Sequence, residues 1–294
     1  MVMSKKAALA QLDDEQRINA QLSRGPRHGD LWMATGMGLS CYVLVVAVLK
    51  EDPRLVLVVP LDSYILAGEH GSLTIKETPL GVPMIAWPKY AAIIPMRLLR
   101  KPLTGFPEDV VKAVIRNDPE LSASVVPTVE PDDWDEEAHD YNLRTLIVWH
   151  GLCNTLPDLR QSENIEFGVD AKLEDYYQAL KNVLGLSPAE RIAVSRGTKK
   201  LNKTQQKKMA AAGYAEQPSR QEAVPKDYLV MAEQPKWNML VDAFSEVPED
   251  EVRMRLARKA AFTLAARTDG CGEDALQAVF DKVSHDMMSK RSLQ

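Results

Sequence analysis

Residues 29–60 read GDLWMATGMGLSCYVLVVAVLKEDPRLVLVVP, and the N-terminal half of the protein is predicted from this stretch. It contains runs rich in β-branched and aromatic residues at 29–35, 41–49 and 54–60, each bounded by Gly, Pro or Asp, which indicates short strands. The tripeptide Glu51-Asp52-Pro53 separates the second and third runs, and proline presets the backbone for a turn. These two runs are therefore predicted to pair as a hairpin.

Two further runs, residues 72–76 and 82–87, continue the strand pattern without a helical crossover between them. Because a parallel βαβ sheet requires such crossovers, the pattern favours a small closed β-barrel. Residues 94–99 (IPMRLL) are then predicted to form a short turn of helix. Residues 106–115 (FPEDVVKAVI) are predicted to form a longer helix, since proline and acidic side chains suit the free amides of a first turn.

The fold class predicted for the whole chain is α+β, a barrel domain followed by a mainly α-helical domain, as a length of 294 residues suggests. The predicted ranges are a helical arm at 1–24, the barrel at 25–118, an acidic linker at 119–140 and a helical domain at 141–294 with an exposed connector at about 213–227. Residues 142–152 suit either a helix or a strand, with helix favoured. The other helices are predicted at 173–184, 187–212, 248–267 and 273–288.

The composition is that of a globular protein, with 45% apolar and 26% charged residues. The longest uncharged apolar run, residues 39–49, is shorter than the roughly 20 residues of a membrane-spanning helix. The first 17 residues are polar and lack a signal pattern, so a cytoplasmic location is expected. Cys41, Cys153 and Cys271 are widely separated and are expected to be reduced thiols.

Neither a metal site nor a cofactor is expected from the motifs. His150 and Cys153 have the spacing of metal ligands, but a structural zinc requires a second pair, which the sequence does not supply. The residues 36–38 (GMG) lack the third glycine and the following helix of a phosphate-binding loop. The sequence also lacks a serine elbow, a P-loop and a motif of paired carboxylates, and a small-molecule ligand is not expected.

A run of basic side chains lies between Arg191 and Lys208, and it includes Arg196, Lys199, Lys200 and Lys203. This charge is enough to contact several phosphates. The run contains no aromatic residue on which bases would stack, so a solvated helix surface or a docking site for an acidic protein is favoured over nucleic acid. Binding of nucleic acid remains an alternative.

The strand pattern also resembles a known family, the MazF/PemK-type barrel of ribonuclease toxins. The resemblance covers residues 25–117 and is carried by RHGDLW at 27–32, YVLVV at 42–46, VVPLDS at 58–63, IAW at 85–87, and the closing segment from Ile94 through the helix. It implies a small SH3-like barrel with a concave RNA groove. The groove residues that it implies here, which are expected to bind a partner, are Arg27, Trp32, Tyr42, Asp62, Ser63 and Trp87.

The family's chemistry is only partly present. In the family a basic residue before the second strand and a hydroxyl after the Val-Pro step act on RNA. Ser63 fills the hydroxyl position, but residues 38–41 (GLSC) carry no cation, and Asp62 places a negative charge beside the phosphate path. The resemblance therefore implies a non-cleaving copy with no catalytic residues. An active ribonuclease, with Arg27 standing in for the missing cation, remains the alternative.

An acidic segment at 130–140 follows the predicted barrel and contains Trp134, Asp135 and Glu136. It is similar to the acidic, aromatic-anchored antitoxin peptides that fill the family's groove. Docking of this segment in the groove, in cis or on a second copy, is therefore one hypothesis, and an ordinary acidic linker is the other.

The whole arrangement resembles regulatory proteins of prokaryotic defence operons, including MazF-like components of type III CRISPR systems. The resemblance implies an interaction subunit that binds a protein partner such as a transcription regulator. Binding to a membrane is not expected.

Overall fold

The computed structural model describes residues 5–157, 159, 171–195, 199–214, 224–265 and 273–291. The protein is α+β, with an antiparallel sheet in its N-terminal half and helices in its C-terminal region. Internal contacts divide the chain into one unit of Met1–Leu159 with Lys226–Gln294 and a second unit of Arg160–Pro225. This grouping differs from the predicted ranges, because residues 226–294 join the unit that contains the sheet. None of the described helices has the length and apolarity needed to cross a membrane.

The sheet has eight strands, all paired antiparallel, in the order β7-β1-β2-β3-β5-β4-β8, with β6 also paired to β3. The strands are β1 (Asp30–Gly36), β2 (Leu39–Val48), β3 (Leu55–Asp62), β4 (Leu73–Ile75), β5 (Met84–Ala86), β6 (Ala92–Pro95), β7 (Leu99–Gly105) and β8 (Val125–Pro127). The predicted β2–β3 hairpin is confirmed. A closed barrel is not confirmed, because the described strands leave the sheet open between β7 and β8.

The helices of the first unit are α1 (Lys5–Arg24), α2 (Glu108–Arg116), α3 (Glu136–Gly151), and, after the second unit, α7 (Lys226–Ala232), α8 (Asn238–Ala243), α9 (Glu249–Ala265) and α10 (Glu273–Arg291). Short 3-10 turns lie at Ile65–Ala67, Pro88–Tyr90, Met96–Leu98, Pro119–Leu121, Leu152–Thr155 and Pro235–Trp237. The helix favoured for residues 142–152 is confirmed by α3, and the predicted C-terminal pair is confirmed by α9 and α10, which pack together.

Both faces of the central strands are buried, which explains why residues 41–49 form a continuous apolar run rather than an alternating one. Leu44 lies on the face covered by α2, in a cluster with Val111 and Val114. Val43 and Val45 lie on the other face, in a cluster with Trp149 of α3. A helix therefore covers each face of the sheet: α2 precedes the segment predicted as a linker, and α3 begins within that segment, at Glu136.

Three sequence predictions are wrong in detail. The helical turn predicted at 94–99 is present only as the 3-10 turn Met96–Leu98, because residues 94–95 belong to β6 and pair with β3. Residues 125–127, within the predicted linker, form β8 and pair with β4. The helix predicted at 187–212 is interrupted, because Asn202 begins a new helix with a complete capping box. The exposed connector predicted at about 213–227 lies mostly outside the described residues. Its last two residues, 226 and 227, belong to the start of α7.

The C-terminal helices are attached to the sheet through buried polar groups. The Arg253 side chain is 2% exposed and donates to Ala232 O at 2.8 Å and to Asn238 Oδ1 at 2.6 Å. Asn238 Nδ2 in turn donates to Leu99 O of β7 at 3.1 Å. This chain of hydrogen bonds runs from α9 through α8 to the sheet, and it satisfies groups that burial would otherwise leave unpaired.

The second unit is built from α4 (Ala171–Leu184), α5 (Pro188–Ser195) and α6 (Lys203–Ala211). Its small core contains Leu180, Val194 and Met209. The Tyr176 and Tyr214 rings lie 5.8 Å apart in an edge arrangement and extend this core.

Candidate functional site

The carboxylate of Asp62, at the end of β3, is held by two nitrogen donors. The Tyr64 backbone amide donates to Oδ1 at 2.9 Å, and the Asn142 side-chain amide donates to Oδ2 at 2.7 Å. Asn142 is 3% exposed and also donates to Ala138 O at 3.1 Å within α3. Asp62 therefore anchors α3 to the end of β3 and binds a neutral amide rather than a cation.

Helix α3 covers the sheet face beside this carboxylate through further long-range contacts. The Ser40 amide donates to the Tyr141 hydroxyl at 3.1 Å, and Trp149 Nε1 donates to Gly36 O at 3.0 Å. Trp149 is fully buried. These contacts attach α3 to the residues on either side of the β1–β2 turn, where the resemblance places the family's missing cation, and the turn residues Met37 and Gly38 are themselves exposed.

Cys41 lies beneath this region and is 3% exposed. Burial, with a smaller contribution from the Asp62 carboxylate, raises the pKa of the Cys41 thiol to about 12. The thiol is therefore neutral at physiological pH and has none of the properties of a nucleophile.

A histidine surrounded by aromatic rings lies at the start of α3. His139 is 5% exposed, and its ring centroid lies 6.0 Å from that of Trp87, 5.9 Å from Tyr90 and 5.6 Å from Trp134. Its Nε2 lies 3.5 Å from Glu69 Oε1, a carboxylate that also pairs with a lysine. The cluster joins the loop after β3, the Pro88–Tyr90 turn and α3.

The predicted acidic segment contacts the sheet domain in cis. The Asp135 amide donates to Leu66 O at 2.9 Å, and its side chain accepts from the Ala138 amide at 3.0 Å as the N-cap of α3. Trp134 packs against His139, and Glu136 is exposed in the first turn of the helix. The segment thus lies against the loop that follows Ser63.

The residues predicted for the groove do not form one accessible surface. Trp32 and Trp87 are fully buried, and Tyr42 is partly buried against the α2 side of the core. Ser63 is exposed beyond the end of β3, and Arg27 is exposed before β1. The structure brings Asp62, Ser63 and Trp87 to one end of the sheet, close to the acidic segment.

Arg27 lies at the opposite end of β2 from Ser63. The ring of His28, its neighbour, bonds Val46 O at 2.7 Å, whereas Leu61 pairs with Tyr42 at the other end of the strand. Val46 and Tyr42 are four residues apart on β2, which corresponds to about 13 Å at roughly 3.3 Å per residue. Ser63 lies beyond the Tyr42 end. The guanidinium that the sequence offers as a substitute cation is therefore not beside the hydroxyl.

An apolar groove, called here the α3 groove, opens between α3 and β6. Its volume is about 530 Å³, and its lining includes Leu57, Tyr90, Ile93, Leu143, Ile147 and His150. Ile147 is 72% exposed and Val148 is 41% exposed. An exposed apolar surface beside an apolar groove indicates a binding surface.

The basic side chains lie in the second unit, where Lys200 and Lys203 are exposed. Lys199 pairs with Glu190 at 2.8 Å, and this hydrogen bond lowers the pKa of Glu190 to about 2. Arg196 lies outside the described residues. The pairing neutralises one of the predicted cations, and the exposed Lys203, Lys207 and Lys208 lie along α6.

His150 and Cys153 are not poised as metal ligands. Both approach the same backbone oxygen, Ile93 O, at 2.9 Å from Nδ1 and 3.5 Å from Sγ. Within the described residues, no group of three His, Cys, Asp or Glu side chains is arranged to hold a metal ion.

The sequence did not single out Asn142, His139 or Ile147. A helical wheel of α3 carries part of this signal, since Asn142, Thr145 and Trp149 share one face, and polar residues on a buried face require partners. The identity of those partners is not encoded locally.

No family model matches the chain, and no curated protein matches it either.

Proposed function

We propose that the protein is a non-catalytic interaction subunit of a prokaryotic defence system, built on a degenerate MazF-like, SH3-like barrel, and that it binds a protein partner such as a transcription regulator. The observation that carries this proposal is the Asn142 amide on the Asp62 carboxylate at 2.7 Å, which seats α3 across the sheet face. A surface that binds RNA for cleavage needs to be cationic, whereas the end of β3 carries a carboxylate that is bound to a neutral amide.

The electrostatics at the end of β3 support the absence of cleavage. Desolvation, together with the Asp135 and Asp133 carboxylates, raises the pKa of the Tyr64 phenol next to Ser63. A phosphodiester that approached Ser63 would meet these carboxylates as well as Asp62. Like charges at about 4 Å repel by about 1–4 kcal/mol in water or near a protein surface, which disfavours a phosphate there.

The partner surface proposed for this function is the exposed basic face of α6. Lys203 and Lys207 are exposed on that helix. Asn202 caps the helix with a complete capping box, so both lysines lie on an ordered helix. Without aromatic side chains for stacking, such a surface suits the carboxylates of an acidic protein better than single-stranded RNA. The alternative, a nucleic-acid-binding adaptor, uses the same lysines.

Incubation with a long unstructured RNA tests the catalytic part of the proposal. We expect the wild-type protein to leave the RNA intact, as seen on a denaturing gel, and Ser63→Ala to behave identically. The matched control is Ser23→Ala, which changes another exposed serine. Cleavage by the wild type that survives in Ser23→Ala and disappears in Ser63→Ala would establish the ribonuclease alternative.

The same RNA tests the adaptor alternative by fluorescence anisotropy. An adaptor binds RNA with an affinity that falls steeply as salt rises and that weakens when Lys203 and Lys207 are changed to Glu. We expect binding to be weak at every salt concentration and insensitive to these changes. In the control, Lys101 and Lys112, which are exposed lysines of the first unit, are changed to Glu.

A further inference from the structure

The exposed ridge of α3 has the spacing of a helix–helix interface. Glu136, Asp140, Leu143, Ile147 and His150 follow one another at intervals of four, three, four and three residues, which is the heptad spacing of packed helices. Four of them are exposed, and Leu143 is partly buried at the rim of the α3 groove. The opposite face of the helix is occupied by the sheet, so this ridge lies on the outer side of α3.

The ridge is apolar in the middle and charged at its ends. Ile147, 72% exposed, stands beside the groove that Leu143 helps to line. The acidic residues Glu136 and Asp140 precede this apolar centre, and His150 follows it. A projecting apolar side chain and a groove on the same surface, flanked by carboxylates on one side and an imidazole on the other, are the features of a self-complementary interface.

We infer that the α3 groove binds a second copy of this chain, with the two α3 helices antiparallel about a two-fold axis near residue 145. In this register Leu143 lies opposite Ile147 of the second copy, so that two apolar layers form at the centre. Asp140 lies opposite His150 of the second copy, an opposite-charge pair when the imidazole is protonated. A parallel arrangement would instead place like charges together, and the charge pattern therefore selects the antiparallel one.

The groove adds to the helix contact. Ile147 of the second copy enters beside Leu143 at the groove rim, where Tyr90 and Ile93 also line the wall. His150 is held in position by its Nδ1 contact to Ile93 O at 2.9 Å, which leaves Nε2 for the second copy. Two apolar layers make an interface below the standard size, so the dissociation constant is expected to be on the order of micromolar or higher. This dimer is independent of the proposed function.

Sedimentation equilibrium of the full chain over a wide concentration range tests the inference. We expect a monomer–dimer equilibrium in the wild type, and Ile147→Glu should raise the dissociation constant at least about tenfold, because it places a charge in the apolar layers. Met239→Glu is the matched control, since Met239 is also 72% exposed but lies on α8. Melting curves confirm that both variants are folded.

A charge exchange tests the register. Asp140→Lys alone should weaken the dimer, and the double variant with Asp140→Lys and His150→Glu should restore it, because the opposite-charge pair is rebuilt with its signs reversed. A wild type that is monomeric throughout, a dimer that Ile147→Glu leaves intact, or a double variant no better than Asp140→Lys would each overturn the inference as stated.

Discussion

At the scale of single residues, the decisive feature is the pairing of Asp62 with Asn142, which are 80 positions apart in the chain. The carboxylate, which is partly buried, accepts from a neutral side chain that is itself buried. Cys41 is also buried near this carboxylate, and burial together with the Asp62 charge raises the pKa of its thiol. The contact between Asp62 and Asn142 therefore anchors α3 to the end of β3.

Replacement of Asn142 measures this contact. Asn142→Ala leaves a partly buried carboxylate without one of its donors, and we expect the free energy of unfolding to fall by about 1–3 kcal/mol. The measurement is urea denaturation followed by circular dichroism. Asn154→Ala, which changes an exposed asparagine of the same unit, should stay within about 0.5 kcal/mol of the wild type. Equal effects of the two changes would contradict an anchoring role.

At the scale of elements, α3 connects the acidic segment, the histidine cluster and the covered sheet face. Its N-terminus is fixed by the Asp135 side chain and by the Asp135 amide on Leu66 O, at the loop that follows β3. Its C-terminal half is fixed by Trp149 in the core. A helix that is tied at both ends keeps its outer ridge in a constant orientation, which a helix–helix interface requires.

Removal of the N-cap tests the first of these ties. Asp135→Ala should lower the free energy of unfolding by about 1 kcal/mol, since the Ala138 amide loses its acceptor. It should also change the emission of Trp134, which packs against His139. Denaturant titration monitored by tryptophan fluorescence reports both effects. Asp133→Ala removes an equal charge from an exposed position nearby, and a similar loss in that variant would assign the effect to charge rather than to capping.

At the scale of the whole chain, buried charges join the C-terminal helices to the sheet within the first unit. Glu233 is 5% exposed, and its Oε2 lies 3.7 Å from Arg97 Nε and 4.0 Å from Arg253 Nε. Burial raises the pKa of the Glu233 carboxyl above its ordinary value of 4.5, although both guanidinium groups oppose the shift. The raised pKa means that the folded protein binds the proton more tightly than the unfolded chain does.

This shift has a definite sign in the pH dependence of stability. The stability that protonated Glu233 contributes is fully present below about pH 4.5, and it is lost as the pH rises through the folded-state pKa. Measured relative to Glu233→Gln, the free energy of unfolding of the wild type should therefore fall as the pH increases from about 4.5 towards neutrality. Denaturant titrations at several pH values supply the difference. The exposed change Glu251→Gln should show no such trend, and a difference that rises with pH would contradict the assignment.

Much of the secondary structure could be predicted because its signals are local. The β2–β3 hairpin follows from two β-branched runs around a proline turn, and α2 follows from its acidic first turn and apolar stripe. The sequence does not predict β8, and this has a physical cause. A strand of three residues has almost no periodicity of its own, and Val125–Pro127 becomes a strand only because β4 offers an unpaired edge.

The amino-acid sequence by itself determined the α+β class, the order of the main strands and helices, and the absence of a cation before Tyr42, since each depends on residue type and short-range spacing. Only the tertiary structure decided that the sheet stays open, that α3 covers it through Asn142, and that Ile147 is left facing outward. These features depend on contacts between residues far apart in the chain. A local pattern shows that a helix has a buried face, but the surface that buries it is chosen by the packing of the whole unit.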